Sequence, residues 1–89
     1  MNIGDNLSNA AAQKLRELNK RCWIEDGWIR FSIAGDYKYD IELSKILTYQ
    51  KLVWWTRHLA GKPWITLPVL RHFIRLVCEH HGLEFRGSL

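Results

Sequence analysis

The sequence predicts an α+β fold in the order α-β-β-β-α-α: an N-terminal helix, a three-stranded antiparallel meander and a C-terminal αα-hairpin. Near both ends of the chain, apolar residues recur every three or four positions, which is the period of an amphipathic helix. Between them lie three short runs of alternating apolar and polar residues, separated by glycine-containing turns, as strands require. At 89 residues, of which 47% are hydrophobic, residues 1–89 are expected to form one domain with frayed ends at 1–5 and 84–89.

The first helix is predicted over residues 7–21. Asp5, Asn6 and Ser8 are candidate N-caps, because their side-chain oxygens can accept hydrogen bonds from the free amides of the first turn. The sequence leaves open whether this helix packs against its own chain or exchanges into a second copy. Its predicted apolar face consists of Leu7, Ala11, Leu15, Leu18 and Cys22.

Two turns organise the predicted meander. Asp26-Gly27 lies between two alternating runs, which indicates a two-residue hairpin loop that pairs Ile24 with Ile29 and Glu25 with Trp28.

The second turn contains Gly35 and Asp36, one of which is expected in the left-handed conformation. A two-residue loop would place Phe31 opposite Asp40 and mix core with charge. We therefore expect a three-residue loop, which gives apolar pairs throughout: Ile33 with Tyr37, Phe31 with Tyr39 and Ile29 with Ile41.

Two helices are predicted after the sheet. Thr48 or Ser44 can cap a helix that runs to about Ala60, and Gly61-Lys62-Pro63 ends it, since proline cannot continue a helix.

The last helix is predicted to begin after the N-cap Thr66, with Pro68 in its first turn, and to end at Gly82. Its apolar stripe is formed by Leu70, Phe73, Ile74, Val77 and His81.

We expect no metal site, no cofactor and no enzymatic activity. Two cysteines and four histidines are present, but none forms a Cys-x-x-Cys or His-x-x-x-His pair of the kind that structural zinc sites show. Cys22 and Cys78 fall on predicted core faces and are expected to be reduced thiols. Cys78 with His81 or His58 lacks an orienting carboxylate in the sequence, and the glycines do not form a phosphate-binding loop.

The charge is unevenly distributed, and this bears on partners. No acidic residue occurs between Glu42 and Glu79, whereas six basic residues do, interleaved with Trp54, Trp64 and two histidines. Basic side chains beside aromatic rings are typical of surfaces that contact a nucleic-acid backbone and stack on its bases. An αα-hairpin with ordinary surface charges is the alternative interpretation. The predicted contact residues, for nucleic acid or an acidic protein surface, are Arg57, His58, Lys62, Trp64, Arg71, His72 and Arg75.

A second hypothesis is a protein-interaction module that modulates a host nucleic-acid-processing or defence complex. It would use either the aromatic sheet face at Trp23, Trp28 and Arg30 or the acidic middle strands. Five tryptophans exceed what one thin core can absorb, so a homodimer is favoured over a monomer. With no signal peptide and no apolar run near the ~20 residues that a membrane span needs, we expect a cytoplasmic protein without membrane contact.

The segment Trp55-Thr-Arg-His-Leu-Ala-Gly-Lys-Pro-Trp-Ile-Thr66, continuing to Phe73 and His81-Gly82, resembles small open reading frames carried by phages and prophages. The likeness covers roughly residues 37–83. It implies a cytoplasmic accessory protein that acts on nucleic-acid metabolism or on a host defence complex, and it assigns no functional residue.

Overall fold

The elements follow one another along the chain in the predicted order. The structure is a computed structural model that describes residues 3–35 and 37–82, with side chains from residue 9 onward. Its α+β class and its α-β-β-β-α-α order confirm the prediction. The elements are α1 (Ile3–Arg21), β1 (Cys22–Glu25), β2 (Trp28–Ala34), β3 (Tyr37–Glu42), a 3-10 turn (Leu43–Lys45), α2 (Tyr49–Ala60) and α3 (Leu67–His81).

Helix α1 begins earlier than predicted. Its first residue is Ile3, upstream of Asp5, Asn6 and Ser8, so none of the three is the N-cap. Of the ends predicted to fray, residues 3–5 are helical, while residues 1–2 and 84–89 lie outside the described residues.

The first hairpin confirms the predicted pairing. The three strands are antiparallel in the order β1-β2-β3, and Ile24 pairs with Ile29. Asp26 and Gly27 have φ angles of 53° and 81°, the left-handed conformation that a tight two-residue hairpin turn requires at both positions.

The second hairpin confirms the predicted register over most of its length. Phe31 pairs with Tyr39, and Ile29 pairs with Ile41, so the inner face of the sheet stays apolar. Asp40 lies opposite Arg30 rather than Phe31.

The predicted pairing of Ile33 with Tyr37 is wrong. Ala34 pairs with Tyr37, and the register shifts between Ser32 and Ala34. The extra residue, Ile33, forms a β-bulge. The loop is therefore shorter than the predicted three residues, and the apolar pairs of the inner sheet face are kept. Gly35, at φ 57°, is left-handed as predicted, and Asp36 lies outside the described residues.

Both C-terminal helices begin at the predicted caps. The Thr48 hydroxyl accepts a hydrogen bond from the Lys51 amide at 3.2 Å, and the Thr66 hydroxyl accepts one from the Val69 amide at 3.4 Å. The left-handed Gly82, at φ 67°, ends α3.

The core lies between the inner sheet face and helices α2 and α3. Phe31 is fully buried, and its ring centroid lies 6.1 Å from Tyr39, 5.5 Å from Trp64 and 5.8 Å from Phe73. These four residues form the inner aromatic cluster. The other buried hydrophobic residues are Cys22, Ile29, Ile41, Leu43, Ile46, Leu52, Leu59, Val77 and Cys78.

Candidate nucleic-acid interface

Helix α2 has a core side and a charged aromatic side. Leu52 and Leu59 are buried against the core, and the Thr56 hydroxyl donates to the Leu52 carbonyl at 2.7 Å. The residues at spacings of three and four on the other side are exposed to solvent. We call this surface the α2 face, and it consists of Lys51, Trp54, Arg57 and His58.

Trp54 is the main exposed ring of the α2 face. Its side chain is 55% exposed, and it stacks on His58 with an interplanar angle of 8° and a centroid distance of 5.1 Å. The partly buried Trp55 contacts the Trp54 ring edge-on, at 4.9 Å and 83°. Because Trp55 also packs against the core cluster, the orientation of Trp54 is supported from two sides.

An open cavity of about 610 Å³ lies beside Trp54, at the beginning of α2. Lys45 and Lys51 contribute positive charge to it, and Ser44 and Thr48 contribute hydroxyl groups. No carboxylate side chain occurs in the chain between Glu42 and Glu79, so this part of the sequence supplies none to the cavity. The cavity therefore offers hydrogen-bond donors and cations next to an aromatic ring. Its walls are formed by Ser44, Lys45, Leu47, Thr48, Gln50, Lys51, Trp54 and Trp55.

The structure divides the predicted contact residues into groups. Arg57 and His58 lie on the α2 face. Trp64 instead belongs to the inner aromatic cluster, 5.4 Å from Tyr39, and Lys62 lies above the Tyr39 ring with its Nζ 5.4 Å from the centroid. Trp64 thus packs in the fold rather than presenting a free ring.

The three predicted residues of α3 do not form one surface patch. Arg71 and Arg75 are exposed, but His72 is only 1% exposed. Its Nε2 lies 2.8 Å from Asn19 Oδ1, and its Nδ1 lies 2.9 Å from Arg75 Nη2. Burial, and then the Arg75 charge, lower the pKa of His72, which keeps the ring neutral. As a buried neutral group, His72 is not a surface contact.

On the outer sheet face, the charged groups of the alternative interface form ion pairs within the chain, while the buried Arg30 Nε makes no hydrogen bond among the described residues. Arg30 Nη1 donates to Asp40 Oδ2 at 2.8 Å, and Arg30 Nε lies 3.3 Å from Glu25 Oε1. The Trp23 indole also donates to Glu25, at 3.2 Å. Trp28 is 39% exposed. The charges on this face are therefore largely neutralised within the chain.

Neither cysteine is arranged as a nucleophile. Both thiols are free and buried. Burial raises the pKa of Cys22 to about 12, and burial together with the nearby Glu79 raises that of Cys78. Both are therefore protonated at neutral pH, and the thiol is a far weaker nucleophile than the thiolate. Among the described residues, no three His, Cys, Asp or Glu side chains are close enough to hold a metal ion.

The sequence interpretation left Lys45, Lys51 and Trp54 out of the predicted contact set. The spacing of four between Trp54 and His58 does place the two rings on one helical face. This spacing in the sequence could therefore have added Trp54 to the predicted contact residues. Lys45 comes from the 3-10 turn, and its proximity to Trp54 depends on how that turn meets α2.

No protein-family model, curated protein or solved structure matches this chain. The resemblance to small phage and prophage proteins therefore stays a prediction. Within the described residues, no helix is both long enough and apolar enough to cross a membrane.

Proposed function

We propose that this protein is a non-catalytic module that binds single-stranded nucleic acid through the α2 face. The observation that carries the proposal is the Trp54–His58 stack, in which an indole is more than half exposed and yet held in a defined orientation. An exposed, oriented ring of this kind accepts an unpaired base by stacking, whatever the base, at roughly 1–3 kcal/mol per base.

The charges around Trp54 suit a phosphate backbone. Lys45 and Lys51 lie beside the ring in the open cavity, and Arg57 follows on the same helix. The residues that line this cavity include two lysines and no acidic residue. Cations release condensed counterions when they meet phosphates, and this supplies salt-dependent affinity.

A single strand fits the α2 face better than a duplex does. In a duplex the base faces are stacked on one another and are closed to an indole, whereas the bases of a single strand are free to stack on Trp54. The hydroxyls of Ser44 and Thr48, which line the same cavity, add hydrogen-bond donors for phosphate or sugar oxygens.

The test is fluorescence anisotropy with labelled oligo(dT), oligo(rU) and a DNA duplex, measured over a range of salt concentrations. We expect tighter binding of the single strands and a steep loss of affinity with salt. Trp54→Ala should weaken single-strand binding about 5- to 150-fold, the equivalent of one lost base stack. Lys51→Gln should lower the salt slope by about 0.7, the value for one phosphate contact on a single strand.

Val53→Ala is the matched control, because Val53 neighbours Trp54 on α2, is 67% exposed and carries neither charge nor ring. It should bind as the unmodified protein does. The proposal fails if neither oligonucleotide binds at low salt, or if Trp54→Ala binds with unchanged affinity while the far-UV spectrum is preserved. Comparing oligo(dT) with oligo(rU) separates DNA from RNA as the preferred strand.

A further inference from the structure

A second surface, distinct from the α2 face, lies between α1 and α3. It is an open groove of about 630 Å³. Its apolar part includes Leu18 and Ile74, which are half-buried, and Leu67, which is 67% exposed. Leu15, at 44% exposure, continues the predicted apolar face of α1 beyond Leu18. We call this surface the α1–α3 groove, and its walls include Lys14, Leu18, Leu67, Arg71, Ile74 and Arg75.

The groove is held in shape by a chain of hydrogen bonds through buried His72. A guanidinium group can only donate, so His72 Nδ1 accepts from Arg75, and the neutral ring then donates from Nε2 to Asn19 Oδ1. This chain connects α1 to α3 and orients Arg75 at the edge of the groove. A surface that is already ordered loses less conformational entropy when a partner binds.

The net positive charge of the groove favours a partner with negative charge. Lys14, Arg71 and Arg75 line it, against the single carboxylate of Glu79. Arg71 and Arg75 lie one helical turn apart, and Lys14 comes from the other wall. The groove thus combines apolar side chains of leucine and isoleucine with three cations. This combination complements an apolar segment that also carries negative charge.

A second copy of α1 is a poor occupant of this groove. Helix α1 carries four basic residues and two acidic ones, so inserting it would bring net positive charge against a positive rim. Like charges brought together in this way disfavour association. The predicted homodimer is therefore not expected to form through this groove.

We propose that the α1–α3 groove binds an acidic amphipathic helix from a partner protein. The groove follows α3 from Leu67 to Glu79, a rise of roughly 18 Å, which matches about three turns of a docked helix. Such a helix places apolar side chains at spacings of three and four into the groove and presents carboxylates to Arg71 and Lys14. This interaction does not depend on the function proposed for the α2 face.

The experiment is a selection on the immobilised full chain from a displayed library of helix-forming peptides of roughly 14 residues, unbiased in charge. We expect enrichment of peptides with apolar residues three and four apart and with excess Asp and Glu. Binding of a selected peptide should shift the amide resonances of groove residues on α1 and α3 in heteronuclear NMR spectra. Arg71→Glu should weaken that binding about ten-fold or more, since it reverses a rim charge at an exposed site.

Arg57→Glu is the matched control, a charge reversal at another exposed arginine, on the α2 face. It should leave peptide affinity unchanged and weaken oligonucleotide binding, so failure of one proposal is distinguishable from failure of the other. The groove proposal is overturned by an absence of enrichment, by enrichment of neutral or basic peptides, or by resonance shifts elsewhere. It is also overturned if sedimentation shows a dimer that buries the groove, or if an oligonucleotide shifts the groove resonances instead.

Discussion

The inner aromatic cluster and the rings around Trp54 are built from similar side chains at similar distances. Phe31 lies 5.5 Å from Trp64 in the inner cluster, and Trp54 lies 4.9 Å from Trp55 and 5.1 Å from His58 on α2. Their exposure differs sharply: Phe31 is 0% exposed, whereas Trp54 is 55% exposed.

The difference lies in which elements contribute the rings. The inner cluster takes its rings from β2, β3, the segment between α2 and α3, and α3. Apart from the Phe31–Tyr39 pair within one hairpin, its ring contacts join parts of the chain that are distant in sequence. The three rings on the other side all come from α2. Contacts between distant segments stabilise the fold, while contacts within one helix orient side chains without holding elements together. Of the α2 rings, Trp54 and His58 are exposed to solvent, whereas Trp55 packs against the core.

The largest expected effect comes from removing the centre of the inner cluster. Phe31→Ala should lower the free energy of unfolding by about 3–5 kcal/mol, because it deletes a fully buried ring and leaves a cavity. Denaturant unfolding followed by circular dichroism measures the loss. Because so small a chain has modest stability, a loss at the upper end of this range would leave the variant unfolded without denaturant, and its far-UV spectrum would show this. A loss below about 1 kcal/mol would show that the cluster does not hold the fold.

A smaller loss of stability is expected when one tryptophan is replaced by alanine, either in the inner aromatic cluster or on the α2 face. Trp64→Ala should cost about 2–3 kcal/mol of unfolding free energy, less than a fully buried ring because Trp64 is half-buried. Trp54→Ala should cost under about 1 kcal/mol, since its ring is mostly solvated. Parallel urea titrations of the two variants provide the comparison. Equal losses would mean that the Trp54 stack is part of the core and would weaken its assignment to binding.

The smallest expected effect is on the pH dependence of stability, and it compares the buried ring of His72 with the exposed ring of His58. Because burial lowers the pKa of His72, the folded state binds fewer protons than the unfolded state as pH falls below the unfolded value of about 6.5. The stability that depends on neutral His72 is thus complete above that pH and is lost as pH falls towards the lower folded-state pKa.

The groups that face His72 are Arg75, Glu79, Asn19 and the Cys22 backbone. Thermal unfolding between pH 7.5 and pH 5, roughly one unit above to 1.5 units below the unfolded histidine pKa, measures the effect. His72→Gln, which does not titrate, should flatten this loss. His58→Gln, its exposed counterpart on α2, should retain it. An identical pH profile for all three proteins would contradict the assignment.

Features set by nearest neighbours in the chain were predicted from the sequence. The Asp26-Gly27 turn, the Thr48 and Thr66 caps and the left-handed Gly82 each depend on a few consecutive residues. The pairing of Phe31 with Tyr39 followed from the rule that one sheet face stays apolar, which needs only the alternation of side chains. The Ile33 bulge was not predicted, because a three-residue loop and a shorter loop preceded by a bulge both place Phe31 opposite Tyr39.

The sequence by itself determined the α+β class, the order of the elements, most of the strand register and the acid-free basic segment between Glu42 and Glu79. Only the tertiary structure decided that Trp64 packs inside while Trp54 faces solvent, and that His72 is buried against Asn19, 53 positions away. Periodicity and capping are local properties and can be read along the chain. Burial depends on which distant elements come together, and no single stretch of sequence contains that information.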